Sequence, residues 1–212
     1  MTIRIIIVDD HPIVREGLKK ILEKTSDIVI VDEMETGEEF LNKVSKKNYD
    51  LVLMDISMPG IGGLEVLERL KKERHKPRTL VLSIHSEDQY AIRSLKSGAY
   101  GYLTKDRAPF ELLNAIRKVS RGKKYVSSSL AEKLAFYLGR DEEKLLHERL
   151  SNREFEVMCK IASGKIVKQI AQELSLSIST ISTYRSRILE KMNMENNAEL
   201  THYTIMKGLI DE

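Results

Sequence analysis

Ile5-Ile6-Ile7-Val8 runs without a polar break into Asp9-Asp10, and Leu51-Val52-Leu53-Met54 runs in the same way into Asp55. A strand with one wet face alternates apolar and polar residues. Unbroken runs of this kind therefore point to strands covered on both faces, as a parallel sheet requires. Strands are expected at 3–8, 28–34, 50–54, 78–83 and 101–104. The stretches between them, 12–24, 37–47, 64–74, 87–98 and 109–121, have helical length and amphipathic spacing, with Pro12 and Pro109 placed as helix-start residues. Five strands alternating with five helices predict a doubly wound α/β domain over residues 1–121.

The strand pattern stops after Tyr125. Residues 122–148 read as a helical linker, a helix started by serines and ended at Gly139, followed by charged residues. Residues 149–212 read as a four-helix, all-α domain. Ser151 and Glu154 have the capping-box spacing ahead of apolar Phe155, Met158, Ile161 and Ala162. A second helix carries Val167, Ile170, Ala171 and Leu174, Ser175–Ser177 supplies a turn, and further helices are expected at about 178–192 and 196–207.

Ligands of open parallel sheets bind beyond the carboxyl ends of the strands. The polar residues at those ends are Asp9 and Asp10, Asp55, Ser83 and Lys105. Their spacings fit whole βα units, so all can converge on one edge. Three neighbouring carboxylates repel one another unless a cation sits among them, and oxygen ligands suit Mg²⁺. A hydroxyl and an ammonium opposite would meet phosphoryl oxygens, with one carboxylate as nucleophile. Each residue alone could be a cap or a solvated charge; the five in register carry the reading.

The segments Val8-Asp9-Asp10, 53–63, 82–86 and 98–106 resemble the receiver domain of bacterial two-component response regulators. That resemblance implies a flavodoxin-like fold and Asp55 as phosphoacceptor, charged by a sensor histidine kinase. It implies Mg²⁺ held by Asp10, Asp55 and the backbone carbonyl of Ser57, with Asp9 assisting through water. It assigns Ser83 and Lys105 to the phosphoryl oxygens and Tyr102 to an aromatic position that turns inward on phosphorylation. Ser57 and His85 stand where the family tunes acyl-phosphate lifetime. Asp106 stands where many members have proline.

In the helical tail, residues 160–191 hold Lys160, Lys165, Lys168, Arg185, Arg187 and Lys191 against Glu173 and Glu190. That basic patch suits a nucleic acid. A helix-turn-helix arrangement places Ile181, Tyr184, Ile188 and Met192 inward and Ser179, Ser182, Thr183, Ser186 and Arg187 outward, with Ser177 as N-cap. Small hydroxyls and one arginine fit a major groove. Residues 150–200 resemble the LuxR-type DNA-binding domain, and with the receiver they give the NarL/FixJ class, across nearly all 212 residues. The candidate DNA contacts are Lys165, Lys168, Ser177, Ser179, Thr180, Ser182, Thr183, Tyr184, Ser186, Arg187 and Lys191. Ser182 stands where the family often has lysine and Tyr184 where it often has histidine, while Ile166 and Val167 replace a more usual polar pair.

Other signals are weaker. Gly60-Ile61-Gly62-Gly63 fails as a dinucleotide fingerprint because Glu65 stands at the third glycine position. Cys159, the one cysteine, excludes an intramolecular disulfide, and none of the five histidines has metal-ligand spacing. No apolar run approaches membrane-span length, and the amino terminus does not read as a signal peptide, so a cytoplasmic protein with no membrane partner is expected. The expected function is a phosphorylation-activated transcriptional regulator. It would not be an enzyme beyond taking up and losing its own phosphoryl group. Its partners would be a sensor kinase, double-stranded promoter DNA and a second copy on activation, with RNA polymerase a further candidate. The rivals are a Mg²⁺-dependent aspartyl-phosphate phosphohydrolase and a phosphorylation-independent regulator.

Overall fold

The computed structural model describes residues 2–44, 49–73, 76–138 and 145–210. The chain divides into two compact units, Met1–Lys133 and Leu134–Glu212. In the first, β1 (Ile3–Val8), β2 (Ile28–Met34), β3 (Leu51–Asp55), β4 (Arg78–Ser83) and β5 (Gly101–Thr104) alternate with α1 (Pro12–Leu22), α2 (Gly37–Lys43), α3 (Gly63–Leu70), α4 (Glu87–Lys96) and α5 (Ala108–Ser120). Every strand pair is parallel, in the order β2-β1-β3-β4-β5. The chain winds outward from β1 to β2, then returns past β1 to β3. A crevice therefore opens at the carboxyl ends of β1 and β3, where the winding reverses.

The period-two alternation of a strand divides the core between two faces. Ile5, Ile7, Leu51, Leu53, Leu80 and Leu82 pack against Leu18 and Leu22 of α1 and Leu112 and Ile116 of α5. Ile6, Val8, Val52 and Met54 pack on the other side with Phe40 of α2 and Val66 and Leu70 of α3. Both faces are thus covered, which is why the strand sequences show no polar alternation. The expected last residues of α2 and α3, at 47 and 74, lie outside the described residues.

Of the helical linker expected over 122–148, residues 122–133 belong to the first compact unit. Tyr125 forms a parallel bridge with Gly101, and its amide donates to the Tyr100 carbonyl at 2.8 Å. Gly101 allows that approach: a Cβ there would lie 2.8 Å from the Tyr125 carbonyl oxygen. Helix α6 (Ser128–Leu138) follows, with Leu130 fully buried. Its expected end at Gly139 lies outside the described residues.

In the second unit a 3-10 turn, Leu146–Arg149, precedes α7 (Asn152–Ala162), α8 (Val167–Glu173), α9 (Ile178–Met192) and α10 (Asn197–Met206). The Ser151–Glu154 capping box forms as expected, satisfying two amides at the start of α7. Ser177 caps α9 by accepting from the Thr180 amide, and Asn193 ends that helix in the left-handed conformation, φ 53°. Phe155, Met158, Ile170, Leu174, Ile181, Ile188, Met192 and Leu200 are buried. Tyr184, expected with the inward residues, is only partly buried.

Candidate functional site

Parallel pairing sets the ends of β1, β3 and β4 side by side. Val8 pairs with Met54, Asp55 with Leu82, and Ser83 with Thr104. The next residues therefore meet at one rim. Lys105 reaches across it: its Nζ lies 2.7 Å from Asp55 Oδ2 and 2.8 Å from Asp9 Oδ2. Asp9 and Asp55 are 1% and 2% exposed, so this ammonium faces two desolvated carboxylates. Burial pushes the Asp55 carboxyl up; Lys105 acts against that shift and Asp9 adds to it. Burial works against the Lys105 charge as well, but Asp55 and Asp9 together outweigh it and raise its pKa.

The loop after β3 is held by its own aspartate, since the Ser57 amide donates to Asp55 Oδ1 at 3.2 Å. Gly63 is needed close by: a Cβ would fall 2.4 Å from the Asp55 carbonyl oxygen. Ser83 is fully buried and its Oγ accepts from the His85 amide at 3.0 Å. Tyr102 is also fully buried, and its hydroxyl donates to the His85 carbonyl at 2.9 Å. The inward turn expected of Tyr102 on phosphorylation is thus already made here, because the loop carbonyl satisfies the hydroxyl inside. Burial raises the Tyr102 pKa, so the phenol keeps its proton and donates.

Two histidines stand at this rim: His11, which carries no metal-ligand spacing in the sequence, and His85, expected there with Ser57. His11 Nδ1 lies 3.0 Å from Asp10 Oδ1, 3.3 Å from Asp9 Oδ1 and 4.0 Å from Asp55 Oδ2. The signal for it is Pro12, which forces the preceding residue into extended backbone, φ −95° and ψ 108°. His85 Nε2 and Ser57 Oγ lie 2.9 Å apart, joining the loops after β3 and β4. Asp9, Asp10, His11 and Asp55 offer ligand atoms all within 4.8 Å of one another. Asp9 Oδ2 and Asp10 Oδ1 are buried without an aligned hydrogen-bond donor, although each has a cation or ring nitrogen nearby. Carboxylates left short of donors in this way suit a hard divalent cation such as Mg²⁺.

In the second unit, α9 exposes Ser179, Ser182, Thr183, Ser186 and Arg187 on one side. Their hydroxyls fold back: Ser182 donates to the Ile178 carbonyl at 3.0 Å, Thr183 to Ser179 at 2.9 Å and Ser186 to Ser182 at 3.2 Å. Ser177 Oγ sits 2.7 Å from both Ser179 Oγ and Thr180 Oγ1.

The cationic patch is more committed than its sequence implies. Lys160 and Lys165 both bind Glu173, at 2.7 and 2.6 Å. Arg185 donates to Asn197 Oδ1 at 2.7 Å, and Lys191 binds Glu154. Lys168 and Arg187 carry no ion pair among the described residues. Lys165 and Lys191, expected at DNA, are therefore tied to carboxylates of their own unit.

Residues 5–117 match the response regulator receiver domain family, and residues 148–204 match the bacterial regulatory proteins of the luxR family. The chain is 36% identical over 208 residues to the response regulator UvrY of Escherichia coli K12, covering 98% of this chain and 95% of that protein. A solved structure of the Salmonella typhimurium RcsB response regulator superposes with a TM-score of 0.72 at 28% identity, covering 97% of this chain and 98% of that one. RcsB of Salmonella enterica serovar Typhimurium, bound to promoter rprA in the presence of the phosphomimetic BeF3−, superposes with a TM-score of 0.68 at 29% identity, over 96% and 98% of the two chains.

Proposed function

This chain belongs to the bacterial response regulators that join a receiver domain to a LuxR-type DNA-binding domain, the NarL/FixJ class, and from that premise we propose that Asp55 is the phosphoacceptor of its switch. The observation that carries the proposal is Lys105, whose ammonium stands between Asp55 and Asp9 at the topological switch of the sheet. An Asp55 carboxylate oxygen attacks the phosphorus of a phosphohistidine; the P–O bond forms as the P–N bond breaks, and the imidazole leaves. Lys105 then turns from carboxylate to phosphoryl oxygen, and the Ser83 hydroxyl supplies the second donor. Asp10, Asp55 and the Ser57 carbonyl would hold Mg²⁺, with Asp9 assisting through water. When bound, Mg²⁺ offsets the charge that the phosphoryl group and the carboxylates bring together.

Phosphorylation brings about −1.5 to −2 charge into a pocket already crowded with carboxylates. Tyr102 is already buried, so the change would pass through the His85–Ser86 backbone that its hydroxyl holds, and on to the start of α4. The output we infer is promoter binding by a dimer, with a sensor kinase upstream and RNA polymerase as a further partner. The exposed hydroxyls of α9, with Arg187 and Lys168, would face the major groove and the phosphate backbone.

The test is intact mass and solution size of wild type and Asp55→Asn after Mg²⁺ and acetyl phosphate. One phosphoryl gain in wild type alone, with a shift toward dimer, is expected. Phosphoryl gain in both proteins would move the acceptor elsewhere. Steady turnover of a small phosphoester would favour a phosphohydrolase instead.

A further inference from the structure

We propose that His11 is itself a ligand of the acidic pocket, through Nδ1, and that it biases the pocket toward a divalent transition-metal cation such as Mn²⁺ over Mg²⁺. The inference rests on the reading of that pocket as a divalent-cation site.

Three observations carry it. The first is spacing. Mg²⁺ and Mn²⁺ both favour octahedral coordination, and bonds of about 2.1 Å set neighbouring ligand atoms about 3.0 Å apart. His11 Nδ1 stands 3.0 Å from Asp10 Oδ1, which is the spacing of adjacent corners, and 3.3 Å from Asp9 Oδ1, with which it shares a hydrogen bond. The second is the state of Asp10 Oδ1. It is a buried oxygen that receives no hydrogen bond, although the ring nitrogen is that close. The ring is thus near enough to share an ion with the carboxylate but too poorly aligned to be its donor. The third is that the backbone imposes the placement. Pro12 holds His11 extended, the ring makes no side-chain cap bond to α1, and its hydrogen bond to Asp9 Oδ1 keeps Nδ1 at the pocket.

An imidazole nitrogen among carboxylates changes the metal preference. Imidazole suits the transition metals, whereas Mg²⁺ prefers oxygen and water, and N/O sites follow the general rise in affinity from Mn²⁺ toward Cu²⁺. His11 should therefore add much to Mn²⁺ binding and little to Mg²⁺ binding. The opposing view is a His11 ring that merely hydrogen-bonds to Asp9 and stands against Asp10; such a ring would be displaced by a cation rather than bind it.

The test uses Mn²⁺ on the full chain, as wild type, His11→Ala and Asp10→Asn, with histidines carrying either natural or heavy nitrogen. Because His11 is well exposed and caps nothing, its alanine variant should fold. Electron spin-echo spectra report whether a histidine nitrogen touches the ion, and titration gives Mn²⁺ and Mg²⁺ affinities. We expect an isotope-sensitive nitrogen coupling in wild type that His11→Ala abolishes, with Mn²⁺ affinity falling by about tenfold or more and Mg²⁺ affinity nearly unchanged. Mn²⁺ held in an Asp10-dependent way without histidine coupling, or with the same Mn²⁺-to-Mg²⁺ ratio in His11→Ala, overturns the proposal for His11 alone. Mn²⁺ binding that ignores Asp10→Asn, or no binding in wild type, removes both this inference and the cation site on which it rests.

Discussion

Lys191 Nζ lies 2.9 and 2.7 Å from the two carboxylate oxygens of Glu154, so a cation of α9 is spent on the start of α7. Glu154 also closes the capping box and is only 3% exposed. Burial raises its pKa, but the bonds from Lys191 and Ser151 outweigh that and leave it lowered. Its contribution to stability is therefore complete above the ordinary carboxylate value and lost as pH falls through the lowered folded value. Lys191→Ala is expected to destabilise the second unit by about 1–2 kcal/mol at neutral pH, discounted for the half-exposed lysine. It should also bring on acid unfolding at a higher pH than in wild type. Urea denaturation of the full chain, followed by circular dichroism across pH, measures both.

A weak salt dependence follows from the same pairing. Each phosphate neutralised contributes roughly −0.9 to the slope of log K against log salt. If all six cations of 160–191 met phosphates the slope would approach about −5 per protomer. Lys168 and Arg187, the two without partners among the described residues, give roughly −2. Fluorescence anisotropy on an operator fragment between low and moderate salt separates the two. Arg187→Ala should lower the slope by about 1, while Lys191→Ala should leave it nearly unchanged.

The sheet and the carboxylates were legible because both rest on short-range rules. Continuous runs such as Ile5–Val8 mark strands covered on both faces, and parallel strands end together, so Asp9, Asp55, Ser83 and Lys105 converge whatever their side chains do. Lys191 was not legible. Steps of 100° along a helix say where a Cβ points, but a four-carbon stem can carry its charge back over the helix to a carboxylate on another. His11 was missed for a different reason. Its placement comes from the proline after it and from its bonds to Asp9, which no ligand spacing along the chain reports. The linker's serines look like a plain helix start; that they also bind a glutamate of α4 is a long-range fact with no local signature.

Glu87, at the start of α4, ties down that linker. Its Oε2 accepts from Ser127 Oγ at 2.7 Å and from Ser129 Oγ at 2.9 Å, while Lys133 pairs with the adjacent Asp88. Ser127 Oγ in turn accepts from the amide of buried Leu130 at 3.1 Å. Glu87→Ala is expected to cost about 1–2 kcal/mol. Hydrogen exchange should quicken at residues 127–133 while β1 and β3 keep their protection. Unchanged exchange in the linker would mean that Leu130 alone holds it.

Gly63→Ala tests how closely the backbone around Asp55 is packed. The new Cβ would sit 2.4 Å from the Asp55 carbonyl oxygen and 2.9 Å from Ile56 Cα, both backbone atoms that cannot swing aside. A loss of about 2–4 kcal/mol is expected, the range of a core clash that moves main chain. Phosphoryl uptake from acetyl phosphate should fall further than the folded fraction does, because the displaced strand end carries the acceptor.

Asp55→Asn should make the fold more stable in the absence of a divalent cation. Burial holds the Asp55 carboxyl above its ordinary pKa in the folded chain, with Asp9 adding to the shift and Lys105 offsetting part of it. A raised carboxyl binds its proton more tightly when folded, so folding loses stability as pH rises from the ordinary value toward the raised one. Wild type bears a growing cost as pH rises above the ordinary carboxylate range, and asparagine does not. Lys105 keeps Asp9 as a partner in the variant, 2.8 Å away, so the ammonium is not stranded. A rise of a few degrees in Tm is the expected scale. The advantage should vanish as pH falls below the ordinary carboxylate range, where wild type is protonated too. It should also narrow at neutral pH with Mg²⁺, which at tenfold excess over its Kd stabilises a chain that binds it by about 1.4 kcal/mol. Calorimetry of both proteins, with and without Mg²⁺ and across pH, reads all three effects. A variant less stable than wild type at neutral pH without metal would mean that the Lys105–Asp55 attraction exceeds the cost of burying the charge.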